Sequence, residues 1–87
     1  MADLLQQRLG ANELAVLVVL VECSGRVVGR REIARRAGLS DLNDRRCDSL
    51  LVTLRRALGG EAIQTVRGRG WMLTAADTPR AAALLDT

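Results

Sequence analysis

Residues 63–73, with the sequence IQTVRGRGWML, decide the fold of this 87-residue chain. Two short runs of β-branched and large apolar residues, Ile63-Gln64-Thr65-Val66 and Trp71-Met72-Leu73, flank the tetrapeptide Arg67-Gly68-Arg69-Gly70. Glycine accepts the positive φ angles that a tight turn requires, so the pattern predicts a β-hairpin. Such a hairpin holds two arginines at the end of a narrow projection, where they can reach phosphate groups.

The residues before the hairpin predict a helix over residues 44–58. Asn43 is the expected N-cap, Asp44 lies in the first turn, and Gly59 and Gly60 follow the last turn. At 100° per residue, four apolar residues form a narrow stripe with Leu50 on its flank: Cys47, Leu51, Leu54 and Leu58. The opposite face, with Val52 and Ala57 at its edges, carries Arg45, Arg46, Ser49, Thr53 and Arg56. This polar and basic face is chemically suited to the major groove of DNA.

The first half of the chain predicts two further helices. Apolar residues at three- and four-residue spacing, Leu14, Leu17, Val18 and Val21, indicate a central core helix over residues 11–23. Val27 and Val28 form an extended segment, and a short helix over residues 30–37 ends at Gly38. We expect a domain over residues 10–74, a helical lead-in over 1–9, and a terminal appendage over 75–87 in which Pro79 can start a short helix.

The composition excludes several kinds of chemistry. All 13 basic residues are arginine, against 10 acidic residues, and the chain has no histidine, tyrosine or phenylalanine. A Ser-His-Asp relay, a histidine-ligated metal and a P-loop lysine are therefore excluded, and we expect no enzyme activity, no metal and no cofactor. Trp71 is the only aromatic ring, which argues against binding single strands by stacking. We expect Trp71 to anchor the hairpin against the core.

The charge is concentrated in the middle of the chain. Residues 26–69 contain eleven arginines and five acidic residues, a net of +6, although the whole chain carries only +3. This asymmetry is expected where one face binds a polyanion, although arginines on solvated helix faces would look similar.

The cysteines and the apolar runs bear on the cellular compartment. Cys23 and Cys47 both fall at apolar helical positions, so we expect buried thiols, with a disulfide or redox role as the alternative. The longest apolar run, residues 14–21, is far shorter than a bilayer span, and the N-terminus lacks a signal pattern. We expect no membrane contact and a cytoplasmic protein.

The order of helix, short strand, short helix, loop, longer helix and hairpin is that of a three-helix winged helix-turn-helix, a mainly α fold with a small β-hairpin wing (α+β). Residues 9–73 resemble the DNA-binding domain of OmpR/PhoB-type bacterial response regulators. Four motifs carry the resemblance: Glu13-Leu14 with Leu17 and Leu20, Gly25-Arg26-Val27-Val28 with Arg30-Arg31-Glu32, Leu54-Arg55-Arg56-Ala57-Leu58, and the hairpin pattern Thr-Val-Arg-Gly-x-Gly-aromatic at residues 65–71. The hairpin pattern is the most specific of the four.

The resemblance implies that the third helix lies in the major groove and that the wing borders the adjacent minor groove. It marks nine candidate DNA-binding residues: Arg45, Arg46, Ser49, Thr53, Arg55, Arg56, Thr65, Arg67 and Arg69. Of these, Arg55 is expected to contact a phosphate or to play a structural role. Leu50 stands where the family usually has a histidine, and Val52 where it has a polar or basic residue. The third helix therefore has fewer groups that can hydrogen-bond to bases than is usual in the family.

Sequence-preferring binding of double-stranded DNA, by a transcriptional regulator or its DNA-binding domain, is the leading hypothesis, with homodimeric or tandem binding to repeated half-sites. One alternative is a protein-interaction module that uses Leu50 and Val52 as an exposed patch, and another is an accessory domain of a larger protein. Burial of Leu50 with arginines flanking the helix would favour DNA. RNA polymerase or another protein is a further candidate partner, although the loop before the third helix, to which the resemblance attributes the polymerase contact, is short and lacks the family's usual tryptophan. We expect neither a receiver domain nor the family's amino-terminal sheet within these 87 residues, which would make the chain either a minimal winged helix or a fragment of a larger protein.

Overall fold

The described residues form four helices and one β-hairpin. The computed structural model describes residues 9–39, 41, 43–59 and 61–85. In chain order the elements are α1 (Ala11–Glu22), α2 (Arg30–Ala37), α3 (Asp44–Leu58), β1 (Ile63–Val66), β2 (Gly70–Leu73), a 3₁₀ turn (Ala75–Asp77) and α4 (Thr78–Leu85). The mainly α fold with a hairpin wing is confirmed. The expected helical lead-in over residues 1–9 lies outside the described residues, apart from Leu9, which is buried and not helical.

The hairpin is anchored to the first half of the chain. β1 and β2 pair antiparallel, with Thr65 opposite Trp71 and Val66 opposite Gly70. Val28 forms a single bridge to Trp71, in which the Val28 amide donates to the Trp71 carbonyl at 2.7 Å and the Trp71 amide donates to the Val28 carbonyl at 2.9 Å. The predicted extended segment at Val28 thus lies beside β2 and is joined to it by this single bridge, outside the two-stranded sheet. Trp71 is only 7% exposed and anchors the wing to the core, as expected.

The buried face of α1 differs from the expected one. Val16, Leu17, Val19 and Leu20 are buried, whereas Val18 is 40% exposed. The expected stripe was therefore wrong at Val18, and Leu14 and Val21 are only partly buried. Residues 14–21 are apolar on every side of the helix, so periodicity could not choose a face. The packing of α2, α3 and α4 around α1 makes that choice instead.

Local signals set the ends of α2 and α3. Gly38 ends α2 in the left-handed conformation at φ +73°, and the Asn43 side chain accepts a hydrogen bond from the Arg46 amide at 2.8 Å, capping α3. The inner face of α3 is buried as predicted, Leu50 included. Both cysteines are free and buried, and burial raises the pKa of the Cys47 thiol.

The segment after residue 74 belongs to the same packing unit. α4 packs against α1 and buries Ala81 and Leu84 in the common core. The Ser24 and Thr78 hydroxyls are hydrogen-bonded to each other, which ties the end of α1 to the start of α4. A helix in this segment was anticipated, but the core extends past the expected domain boundary at residue 74. The packing of α4 against α1 could not be predicted from the sequence, because the two hydroxyls that join these helices are 54 residues apart.

Candidate nucleic-acid interface

The outer face of α3 presents one line of side chains to solvent. Arg45, Ser49, Val52 and Arg56 are exposed and follow one another at intervals of four, three and four residues, which places them on one side of a helix. Arg46 is also exposed beside this line. The Thr53 hydroxyl donates to the Ser49 carbonyl at 3.1 Å, so its proton is already used within the helix. Arg45, Ser49 and Arg56 are thus the groups of the line that can bond to a ligand.

Leu50 and Val52 have different environments. Leu50 is only 5% exposed and belongs to the core, whereas Val52 is 46% exposed. The two residues therefore do not form the shared apolar patch that a protein-interaction module would need. Burial of Leu50 beneath a face that carries arginines is the arrangement that favours DNA over a protein partner.

Arg55 faces the wing and not the outer side of α3. Its Nε and Nη2 atoms donate to the Ile63 carbonyl at 3.3 and 3.2 Å, and Nη2 also donates to the Thr65 hydroxyl at 2.7 Å. The structure therefore brings together two predicted site residues, Arg55 and Thr65, and uses them to join α3 to β1. The Thr65 hydroxyl accepts this bond, so its own proton stays available to a ligand.

Arg30 holds three elements together, a role that the sequence analysis missed. It forms a two-pronged contact with Asp48, with Nε at 3.2 Å and Nη2 at 3.0 Å from Oδ1, and it lies 4.0 Å from Asp44. Its guanidinium also lies 5.2 Å from the centre of the Trp71 ring. The hydrogen bond to Asp48 raises the pKa of Arg30. The spacing of Asp44 and Asp48, one helical turn apart, was the available signal, but it did not identify Arg30 as the partner.

The wing tip holds Arg67 and Arg69 in solvent. Gly68 adopts φ +77° and Gly70 adopts φ +145°, both in the range that favours glycine. Beside the tip is an open cavity of about 740 Å³, whose walls are the first turn of α2, the start of α3 and the wing. A smaller depression lies between the outer part of α3 and β1, with Val52 on one side and Thr65 on the other. The wing and the outer face of α3 therefore border this smaller depression together.

The described arginines divide into two groups. Arg26, Arg30, Arg36 and Arg80 form ion pairs with carboxylates at 3.4 Å or less. Apart from Arg55, which bonds to β1, seven described arginines have no carboxylate of the described ranges within 4.0 Å. They are Arg31, Arg35, Arg45, Arg46, Arg56, Arg67 and Arg69. Five of these seven belong to α3 and the wing tip. Positive charge that the domain does not neutralise itself is thus concentrated on these two elements.

Residues 6–73 match the family described as "Transcriptional regulatory protein, C terminal". The chain belongs to this family. The match begins before α1 and ends with β2, so it includes all three helices of the predicted winged helix and the wing, and leaves α4 outside. No curated protein and no solved structure matches the chain.

Membership of the transcriptional-regulator C-terminal family confirms the resemblance to OmpR/PhoB-type domains and the winged-helix fold. It identifies the chain as a DNA-binding domain of a transcription regulator, with double-stranded DNA as the partner. The family is a regulatory one and not an enzyme family. Among the described helices, none has the length and apolar character needed to cross a membrane.

Proposed function

We propose that this regulator domain binds double-stranded DNA with sequence preference, with α3 in the major groove and the wing at the adjacent minor groove. The proposal rests on the arginines of α3 and the wing tip that have no carboxylate partner among the described residues. An arginine with no internal partner can release counterions from DNA when it contacts a phosphate. The ion-paired arginines would first have to lose an existing partner.

The proposal gives the site residues different tasks. Arg45, Ser49 and Arg56 lie on the line of α3 that can face base edges, where arginine pairs well with guanine and serine is adaptable. Arg46 and Thr53 lie beside this line and would contact the backbone or the groove wall. On the wing, Arg67 and Arg69 would bind phosphates or the minor groove, and Thr65 would donate its remaining proton to a phosphate. Arg55 would act indirectly, by holding the wing to α3.

The direct test measures binding to duplex DNA at several salt concentrations. A pool of random duplexes is first enriched for bound sequences, and one enriched duplex is then titrated with the wild-type chain and with the double variant Arg67→Ala/Arg69→Ala. We expect the slope of log K against log [salt] to become smaller by up to about two, since each lost phosphate contact removes about one from the slope.

The matched control is Arg36→Ala/Arg80→Ala, which removes the same charge from two ion-paired positions. We expect this variant to keep the wild-type slope, apart from the small general effect of two lost charges. Equal slopes for the two double variants would refute the role of the wing. Wild-type affinity that does not fall as salt rises would refute DNA binding through this surface.

We also propose that two copies bind adjacent half-sites, as a homodimer or in tandem, because one small module rarely supplies enough affinity and specificity alone. The enriched sequences should then contain a repeated motif, and titration should reach two chains per duplex. A single unrepeated motif with one chain per duplex would refute this arrangement. A contact with RNA polymerase or another protein stays a prediction.

A further inference from the structure

Val52 is the large apolar residue that α3 leaves in solvent. Among the described residues, only Val18 and Val52 are large apolar side chains with high exposure, at 40% and 46%, and Val18 belongs to α1. The remaining large apolar residues of α3 are buried. The exposure of Val52 is therefore a local exception on an otherwise segregated helix.

Val52 lies in the middle of the outer line of α3. Ser49 precedes it by one turn, and Arg45 and Arg56 lie toward the two ends of the line. From Arg45 to Arg56 the line extends about 16 Å along the helix axis. Val52 also borders two depressions, one shared with Arg45, Ser49 and Thr53, and the other shared with the wing. A ligand that contacts both arginines at once must pass over Val52.

The side chain of Val52 can make only apolar contacts. Asp48, the nearest acidic residue along this surface, is occupied by Arg30. A protein partner would need a larger apolar surface, but Leu50 is buried and the exposed neighbours of Val52 are charged or hydroxylated. The major groove of a duplex offers partners for both kinds of side chain on this line. Guanine edges accept hydrogen bonds from the arginines, and the C5 methyl of thymine is an apolar group that Val52 can contact.

We propose that Val52 contacts the C5 methyl group of one thymine, so that binding favours sequences with a thymine opposite the middle of α3. The proposal rests on the proposed function, since it assumes that α3 lies in the major groove. It makes Val52 a specificity-determining residue that acts without hydrogen bonds. The apolar side chain at this position then selects thymine over the other bases through the thymine methyl group.

The test removes the methyl group and nothing else. In the enriched duplex, each thymine is replaced in turn by deoxyuridine, and the affinity of the wild-type chain is measured for each duplex. We expect one position at which binding weakens about four-fold, the ratio expected from burial of one methyl group. The variant Val52→Ala should bind the unmodified duplex more weakly than wild type and should lose most of its sensitivity to uracil at that position.

Val18→Ala is the matched control, since it shortens the other exposed valine. It should keep both the wild-type affinity and the wild-type sensitivity to uracil. Trp71 fluorescence checks that both variants are folded, and both are expected to be, since each side chain is exposed.

Three outcomes would overturn the inference. The first is a series of uracil duplexes that all bind like the thymine duplex, and the second is a Val52→Ala variant that keeps the full methyl dependence. Either of these, with salt-dependent wild-type binding, refutes the role of Val52 and leaves the proposed function standing. In the third, the wild-type chain enriches no duplex from the pool, and both proposals fail together.

Discussion

The substitution Gly70→Ala should destabilise the domain far more than its position on an exposed hairpin suggests. A Cβ atom at Gly70 would lie 2.1 Å from the Val28 carbonyl oxygen and 2.6 Å from the Val28 carbonyl carbon. Side-chain carbons essentially never approach a backbone atom more closely than 3.0 Å, so the Val28 carbonyl would have to retreat by about 0.9 Å. That carbonyl accepts the hydrogen bond from the Trp71 amide, and a retreat of this size breaks or weakens the whole bridge between Val28 and Trp71.

The cost of Gly70→Ala has two parts. Loss of the two bridge hydrogen bonds costs about 0.5–1.5 kcal/mol each, and the φ of +145°, a conformation essentially confined to glycine, adds about 1–3 kcal/mol of backbone strain. We therefore expect a loss of about 3 kcal/mol in the free energy of unfolding. Gly68→Ala is the matched control, because Gly68 also has positive φ, at +77°, but its Cβ would meet nothing within 4 Å. This variant should lose only the strain, about 1–2 kcal/mol.

The assay is urea unfolding followed by the fluorescence of Trp71 and, independently, by far-ultraviolet circular dichroism. Trp71 is the single tryptophan and is buried, so its emission reports on the bridge itself. Replacing glycine by alanine also lowers the conformational entropy of the unfolded chain, which stabilises the folded state. This effect is the same for both variants and cancels in the comparison. If Gly70→Ala lost no more stability than Gly68→Ala, the close approach of β2 to Val28 would not be what requires glycine at residue 70.

Three further predictions concern the helix cap, the wing and the core thiol. Asn43→Ala should lower the free energy of unfolding by about 1 kcal/mol in urea titrations, whereas Asn43→Asp should keep the cap; equal losses would contradict the capping role. Arg55→Ala should weaken duplex binding without the change in salt slope that Arg67→Ala produces, because Arg55 bonds to β1; a loss of slope in Arg55→Ala would mark it as a phosphate contact instead. Because burial raises the pKa of Cys47, the unfolded chain loses its thiol proton first, and stability should fall as pH rises above about 8.5, by at most about 2 kcal/mol at pH 10. The chain has no lysine or tyrosine whose ionisation would overlap with that of Cys47, so Cys47→Ala should remove most of the decline; an unchanged decline would contradict this assignment.

Features that depend on a few consecutive residues could be predicted from the sequence. The cap at Asn43, the left-handed Gly38 and the hairpin at residues 63–73 each follow from steric and hydrogen-bonding preferences that operate within one turn. The inner stripe of α3 was also predictable, because its apolar and polar residues are separated around the helix. In α1 the same reasoning failed at Val18, since apolar residues surround the helix and only the packed neighbours decide which ones are buried.

Contacts between distant segments could not be predicted in the same way. Arg30 joins α2, α3 and the wing, and its partners Asp48 and Trp71 become neighbours only after all three elements are packed. α4 looked like an appendage because its partner, α1, lies more than fifty residues earlier in the chain. No local pattern in residues 75–87 encodes that contact.

Arginines that are adjacent in the chain have different roles in the structure, and the sequence alone does not distinguish these roles. Arg55 and Arg56 are adjacent and chemically identical, so composition and charge assign both to the same basic segment. On a helix they differ by a rotation of about 100°, which turns Arg55 toward the Ile63 carbonyl and leaves Arg56 exposed. The net charge of residues 26–69 therefore overstates the number of arginines that are free to bind, because some of them hold the domain together. The position of Arg67 and Arg69 relative to Arg45 and Arg56 depends on those structural arginines. One set of arginines therefore holds the surface in shape, and the other set supplies its positive charge.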